Sequence, residues 1–405
     1  MKKPIIPFTR PFIAPDAYDL IKEVLDSGWI TTGPQTKLFE QELREYVGCR
    51  SVVATNSASS SIFLALKWFG VGPGDEVIVP AYTYCATANM VLHTGATPVI
   101  VDVLEKDATI SIEEIRKAIT DRTKAIIPVD VFGLPVHYDE IMSIAKEAAS
   151  VFKANNEKQE IIGRPLVLSD AAHSFGALYK SQKVGSIADM TAFSFHAVKN
   201  LTTAEGGSLA INIDNAEEIY KEIKVMSLHG QTKEAYAKFN APGSWRYDVI
   251  TPGFKANMPD ILAALGRTAL KHYDSYILPR RKEIFETYNS LIRDLIGDRA
   301  ILPVQEDRDR IGSYHVYALR INSITEDQRD LIIAYLAEQG IMANVHFIPL
   351  PSLTAYRKMG YSISETPNAY DFYKTEISLP VYESLTNKEQ ELVVNALQEA
   401  IRKYV

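Results

Sequence analysis

Short apolar runs bounded by turn residues recur along the first half of the chain, each too short for a helix. They begin at Val52, Val77, Pro98, Ala125, Leu166, Thr191 and Ser208. Runs of this kind read as strands buried on both faces. The stretches between them are helical in pattern. One presents an apolar face of Ile62, Leu66 and Phe69, and another is announced by Ser111-Ile112-Glu113-Glu114, a capping-box spacing. Strands alternating with helices predict an α/β fold with a seven-stranded, mostly parallel sheet.

From Pro279 the pattern changes. A charged amphipathic helix over Arg280 to Leu295 precedes a strand over His315 to Ile321 and a helix capped by Thr325-x-x-Gln328. A strand over Met342 to His346 and a helix capped by Thr386-x-x-Glu389 complete an α+β segment. The expected organisation is a proline-rich N-terminal arm (1–20), a large α/β domain (21–275) and a smaller C-terminal α+β domain (276–405). A ligand would lie in the cleft between the two larger parts.

Composition narrows the class. Over 405 residues, 46% hydrophobic and 23% charged residues describe an ordinary globular protein. A net charge of −7 gives no general attraction to nucleic acid or anionic lipid, although a local basic pocket can still hold a phosphate. Cys49 and Cys85 have no metal-type or redox spacing, so neither a disulfide framework nor a metal site is expected. The opening MKKPIIPFTRPF is broken by Pro4 and Pro7, and no stretch approaches the length of a membrane span. A cytoplasmic protein without membrane contact is expected.

The candidate chemistry sits at strand ends. The run ending at Ser169 leads into Asp170-Ala171-Ala172-His173, and the run ending at Phe195 leads into His196 and Lys199. In an open α/β sheet, function gathers at the carboxyl ends of strands, which places an acid and an amine on one site. Asn56 to Ser61 is a small, polar run opening a helix, so Ser57, Ala58 and Ser59 can present amides and hydroxyls to a phosphate. The loop Gly70-Val71-Gly72-Pro73-Gly74 lacks a third properly spaced glycine and precedes a strand, which disfavours a nicotinamide-dependent enzyme.

Asp170-x-x-His173 and Ser194-Phe195-His196-x-x-Lys199 resemble the D-x-x-[HQ] and S-F-H-x-x-K motifs of the DegT/DnrJ/EryC1/StrS aminotransferases. The resemblance runs from Pro7 to near the C-terminus. It implies a fold-type I enzyme, similar to aspartate aminotransferase, that uses pyridoxal 5'-phosphate (PLP) and passes through pyridoxamine 5'-phosphate in turnover. Lys199 would then carry the cofactor and act as general acid–base, and Asp170 would keep the pyridinium nitrogen protonated. His173 would hydrogen-bond the ring's phenolic oxygen, Ser194 would join Ser57, Ala58 and Ser59 at the phosphate, and Tyr84 would stack on the ring. His196 would orient Lys199 or the substrate.

Further segments fit the same family. Ser27 to Pro34 is similar to a stretch near the family's substrate pocket, which makes Trp29 and Thr31 substrate candidates, together with His229 and His346. Pro252 to Asp260 resembles the segment that reaches the neighbouring subunit's cofactor phosphate. It marks Lys255 and Asn257 and implies a homodimer with shared active sites. Departures are Ala58-Ser59 in place of Gly-Thr, Ala204 where many relatives have glycine, and Phe347 and Pro351 where the family has tyrosine and a second histidine. Lysine rather than histidine at 199 separates the chain from sugar dehydratases on this scaffold. The implied reaction moves an amino group, from glutamate, to a nucleotide-linked keto sugar, often 4-keto-6-deoxy, in amino-sugar or surface-polysaccharide biosynthesis. A cyclitol ketone as acceptor and a non-catalytic PLP-binding regulator are the alternatives.

Overall fold

The computed structural model describes residues 5–232 and 246–405, so the first four residues of the expected arm lie outside the described residues. The strands of the first half are β1 (Ser51–Thr55), β2 (Glu76–Pro80), β3 (Thr97–Val101), β4 (Thr123–Ile126), β5 (Leu166–Asp170), β6 (Leu178–Tyr179), β7 (Gln182–Lys183), β8 (Met190–Ser194) and β9 (Gly207–Ile211). Seven of them form one sheet in the order β1-β9-β8-β5-β4-β2-β3, with β6 and β7 in a side hairpin. Each expected strand start falls within two residues of an observed one.

The apolar runs work because neighbouring residues face opposite layers. Val52, Ala54, Ile78, Ile126 and Val167 pack into one core with Phe39, Phe193 and Phe195. Val53, Val77, Val79, Leu168 and Leu209 pack into the other with Ile62, Leu66 and Phe69. Only β9 runs against the rest, paired antiparallel with β8 and β1. The pairing Ser194↔Gly207 therefore returns the chain at the carboxyl end of β8, which confines the connection 195–206 to that edge of the sheet.

Gly207 has no room for a side chain. A Cβ there would lie 2.4 Å from the Ser57 carbonyl carbon and 2.5 Å from the Ala58 nitrogen. The close approach seats the start of helix Ala58–Trp68 directly on the sheet.

The C-terminal part opens with helix Leu278–Leu295 and holds β10 (Ala300–Ile301), β11 (Arg310–Ile311), β12 (Tyr317–Ile321) and β13 (Glu376–Leu379). Strands β10, β12 and β13 form an antiparallel sheet, and β11 joins the β6–β7 hairpin. Both expected capping boxes are made, Thr325 with Gln328 and Thr386 with Glu389. The expected strand over Met342 to His346 does not form; only single bridges, Ile6↔Ile341 and Asn344↔Ser378, occur there. Side chains take two of its backbone donors, while Met342 N and Asn344 N go to the isolated carbonyls of Ile6 and Ser378. Val345 N donates to Asn344 Oδ1 at 2.8 Å and His346 N to Glu376 Oε2 at 3.0 Å. Among the described residues no helix is long and apolar enough to cross a membrane.

Asp260, at the start of helix Asp260–Lys271, is 1% exposed and ties that helix to Pro34–Val47. Its Oδ1 accepts from Gly33 N (2.7 Å), Thr36 N (2.9 Å) and Thr36 Oγ1 (2.7 Å), and its Oδ2 from Gln35 N (3.0 Å). One carboxylate thus satisfies the orphan amides of another helix's first turn. Asp260→Ala is expected to lose about 2 kcal/mol in urea unfolding, with Asp260→Asn losing less.

Candidate active site

Strands β5 and β8 are parallel neighbours, with Asp170 opposite Ala192, so Asp170 and the 195–206 connection share one edge of the sheet. They frame a cavity of about 390 Å³ that Lys199, His173 and His346 also line. Asp170 is 6% exposed; Thr87 Oγ1 donates to its Oδ2 at 2.7 Å and Ala172 N to its Oδ1 at 3.2 Å. Burial pushes its carboxyl up, opposed by these two donors and by the Lys199 amine. Burial brings the amine down to about 8, while the Asp170 carboxylate pulls the other way.

The loop that carries Lys199 is closed on itself. Lys199 N donates to His196 O at 2.9 Å and Thr203 N to Phe195 O at 2.8 Å. Asn200 Nδ2 donates to Ser313 O at 2.8 Å, anchoring the residue after the lysine to the C-terminal part. Ala204, the departure from the expected glycine, has φ +68°, the left-handed region. There an alanine costs roughly 1–2 kcal/mol, held in place by its amide on Thr202 Oγ1 at 2.9 Å.

The start of the helix Ala58–Trp68 also lines the cavity. Ser57 caps it by accepting from Ser60 N at 3.1 Å, while Ser61 N returns to Ser57 O at 3.2 Å. The amides of Ala58 and Ser59 precede the first intrahelical donors and so are open to an anion. Ala58 is not among the positive-φ residues, so the glycine expected from the family pattern is not required for this turn. Ser194 adds a hydroxyl to the same cavity.

The remaining wall is aromatic. The His173 ring lies 4.5 Å from His315 and stacks on Phe347 at 5.7 Å, and its Nδ1 accepts from Phe132 N at 3.2 Å. His346 stacks on Phe8 at 5.3 Å, and its Nδ1 pairs with Ser378 Oγ at 2.9 Å. Burial, with the Lys199 amine beside them, takes His346 down to about 4 and holds His173 and His315 well below the usual histidine range. All three rings are neutral near pH 7. Tyr84, 60% exposed, stands at the mouth with its ring 5.8 Å from Phe347. His196 is exposed at the rim, its Nε2 3.6 Å from Glu205 Oε1.

The other candidates form a second group that does not line this cavity. Asn257 Nδ2 donates to Thr32 Oγ1 at 2.5 Å, Asn56 Nδ2 reaches Lys255 O at 3.5 Å, and Trp29 Nε1 donates to Thr32 O at 3.1 Å. Thr31, His229 and Lys255 are exposed nearby in the chain's folding pattern: Thr31 O accepts from Asp260 N and His229 N donates to Phe254 O. Conversely, Phe8, Thr9, Glu205, Arg281, His315 and Phe347 line the cavity without having been singled out as site residues, and Thr87 holds Asp170. His315 carries a usable signal, since it lies beside the start of β12, whereas Thr87 sits in the helix Ala86–Thr94, away from any strand end. Phe8 and Thr9 carry none.

Two outcomes follow from the half-buried lysine and the strained loop. Without cofactor, Lys199→Met is expected to stabilise the fold at pH 7 by on the order of 2 kcal/mol, because burial depresses the folded-state pKa and the unfolded chain binds more protons. The difference shrinks as pH rises above about 8 toward the free-lysine value, as urea unfolding across that range would show. Ala204→Gly is expected to gain about 1 kcal/mol in the same assay by relieving the left-handed alanine.

The comparisons agree with this geometry. The family model of the DegT/DnrJ/EryC1/StrS aminotransferases matches residues 12–398. SpsC of Bacillus subtilis (strain 168), a spore coat polysaccharide biosynthesis protein, is 38% identical over 400 residues, 98% of this chain and 97% of its own length. Spr1654 of Streptococcus pneumoniae, provisionally named a sugar aminotransferase, superposes in its PMP form with a TM-score of 0.94 at 42% identity, over 99% of this chain and 100% of that one. Its PLP form gives 0.93 at 41% with the same coverage. PseC of Helicobacter pylori, an aminotransferase involved in the biosynthesis of pseudoaminic acid, gives 0.87 at 27% identity, over 99% and 100% of the two chains. With a matched sequence over nearly its whole length and the same fold, the chain belongs to the DegT/DnrJ/EryC1/StrS aminotransferase family.

Proposed function

We propose that this protein is a PLP-dependent sugar aminotransferase that transfers an amino group from glutamate to the keto carbon of a nucleotide-linked sugar. The observation that carries the reading is the pairing of a low-pKa lysine with a buried carboxylate in one cavity that a helix start also lines. The names of SpsC, Spr1654 and PseC support the sugar as substrate class.

The residues present fit PLP. Asp170 is a buried carboxylate bonded by the Thr87 hydroxyl and the Ala172 amide, neither of them charged, which leaves its negative charge to be balanced from the cavity. A protonated ring nitrogen supplies that balance. The Ala58 and Ser59 amides with the Ser57 and Ser194 hydroxyls suit a phosphate, aided by the helix dipole. Tyr84, at the mouth, is the stacking candidate, and Lys255 and Asn257 are assigned to a partner subunit's phosphate in a homodimer.

When bound, PLP supplies an aldehyde for amine exchange and a ring that accepts electrons from the adjacent carbon. The protein's part is to hold and move protons. Asp170 keeps the ring nitrogen charged, since a nearby carboxylate favours the cationic form. Lys199, with an amine near 8, is partly unprotonated at neutral pH and takes the proton from the α-carbon of the amino donor. It then returns a proton to the former keto carbon of the sugar. His173 donates toward the phenolic oxygen, and His196 orients Lys199 or the substrate at the rim. Trp29, Thr31, His229 and His346 are assigned to the substrate.

Absorbance tests the reading. The purified protein with PLP is expected to show a visible yellow band that glutamate converts to the pyridoxamine form and that Lys199→Ala lacks, with turnover in that variant down at least about 100-fold. A bound cofactor indifferent to glutamate would refute the donor, and absence of PLP binding would refute the function.

A further inference from the structure

One buried carboxylate beside the cavity has no part in the chemistry above. Asp130 follows β4, is 0% exposed, and does not line the cavity. Its Oδ1 accepts from Val136 N at 2.8 Å, and its Oδ2 accepts from Tyr138 OH at 2.7 Å and Ser174 Oγ at 2.6 Å. Its own N donates to Asp170 O at 3.1 Å. No lysine or arginine is bonded to it among the described residues, and burial pushes its carboxyl up to about 6. Such a group is expensive to keep.

The segment it pins is the one that touches His173. Asp130 closes the 131–136 turn from both ends, by its backbone on Asp170 and by its side chain on Val136. Within the turn Phe132 adopts φ +61° and Gly133 φ +96°, and Gly133 O accepts from Ser313 N at 3.0 Å. This geometry aims the Phe132 amide at His173 Nδ1, 3.2 Å away. From the other side, Ser174 is tied to the same carboxylate, so the residue next to His173 is fixed as well.

A ring nitrogen that accepts an amide N–H carries no proton, so a neutral imidazole held this way has its proton on Nε2. We propose that Asp130 is a positioning residue that, through the Phe132 amide and Ser174, locks His173 as the Nε2–H tautomer and so makes it a fixed donor at the cavity wall. Under the PLP reading, the acceptor is the ring's phenolic oxygen. That consequence rests on the proposed function, whereas the tautomer does not.

The experiment uses the cofactor-free full chain labelled with ¹⁵N-histidine, with His173→Gln to assign the signal. Long-range ¹H–¹⁵N spectra are expected to show an unprotonated Nδ1 and a protonated Nε2, the latter tautomer in excess by roughly tenfold or more. Asp130→Ala is expected to lower that excess on the order of fivefold. Asp130→Asn fills the same volume with one acceptor fewer, is expected to keep the fold, and shifts the ratio by a smaller factor in the same direction. A wild-type His173 protonated on Nδ1, or an unchanged ratio in either folded variant, overturns the proposal. Because no cofactor is present, the result is independent of whether PLP binds.

Discussion

The energetics of the site turn on one constraint: an ammonium and a carboxylate must both be kept out of water at the edge of an apolar sheet. Each alone would be pushed to its neutral form. Lys199 and Asp170 soften each other's penalty, and Thr87 and the Ala172 amide each donate to one oxygen of the carboxylate. The compromise leaves the lysine close to neutral pH and the carboxylate without a bonded cation. Stability is surrendered at this edge and supplied by the two cores on either side of the sheet.

The placement of these groups follows from strand direction. Reversal of β9 keeps the 195–206 connection at the carboxyl end of β8, beside β5, and the missing Cβ of Gly207 lets the helix start approach the same edge. Amine, acid and the open amides of the helix start thus line one cavity. The C-terminal part then covers the edge with the ring systems of His315, His346 and Phe347.

Legibility in the sequence followed the range of the forces involved. The seven strands were readable because a strand buried on both faces is a short apolar run whatever its partners. Asp170 was readable because it ends such a run, and Lys199 because Ser194-Phe195-His196-x-x-Lys199 ties it to the end of another. Met342 to His346 misled, since its apolar residues resemble a strand while Asn344 and Glu376, the latter 30 residues away in sequence from His346, take the Val345 and His346 amides. The capping of one helix by Asp260 spans 224 to 227 residues and leaves no local trace. Asp130 hides for the same reason, as its bond to Ser174 crosses 44 residues.

The N-terminal segment adds a constraint in time. Phe8 and Thr9 line the cavity, yet the chain around them is held by residues near the other end: Met342 N donates to Ile6 O at 3.0 Å and Val381 N to Phe8 O at 3.4 Å. During synthesis, this piece of wall leaves the ribosome before the residues that hold it, and Met342 and Val381 must follow before it has a seat. A nascent chain can build the sheet, the lysine loop and the helix start while the pocket still stands open on one side. Closure of the pocket is therefore a late event in synthesis, set by the arrival of Met342 and Val381.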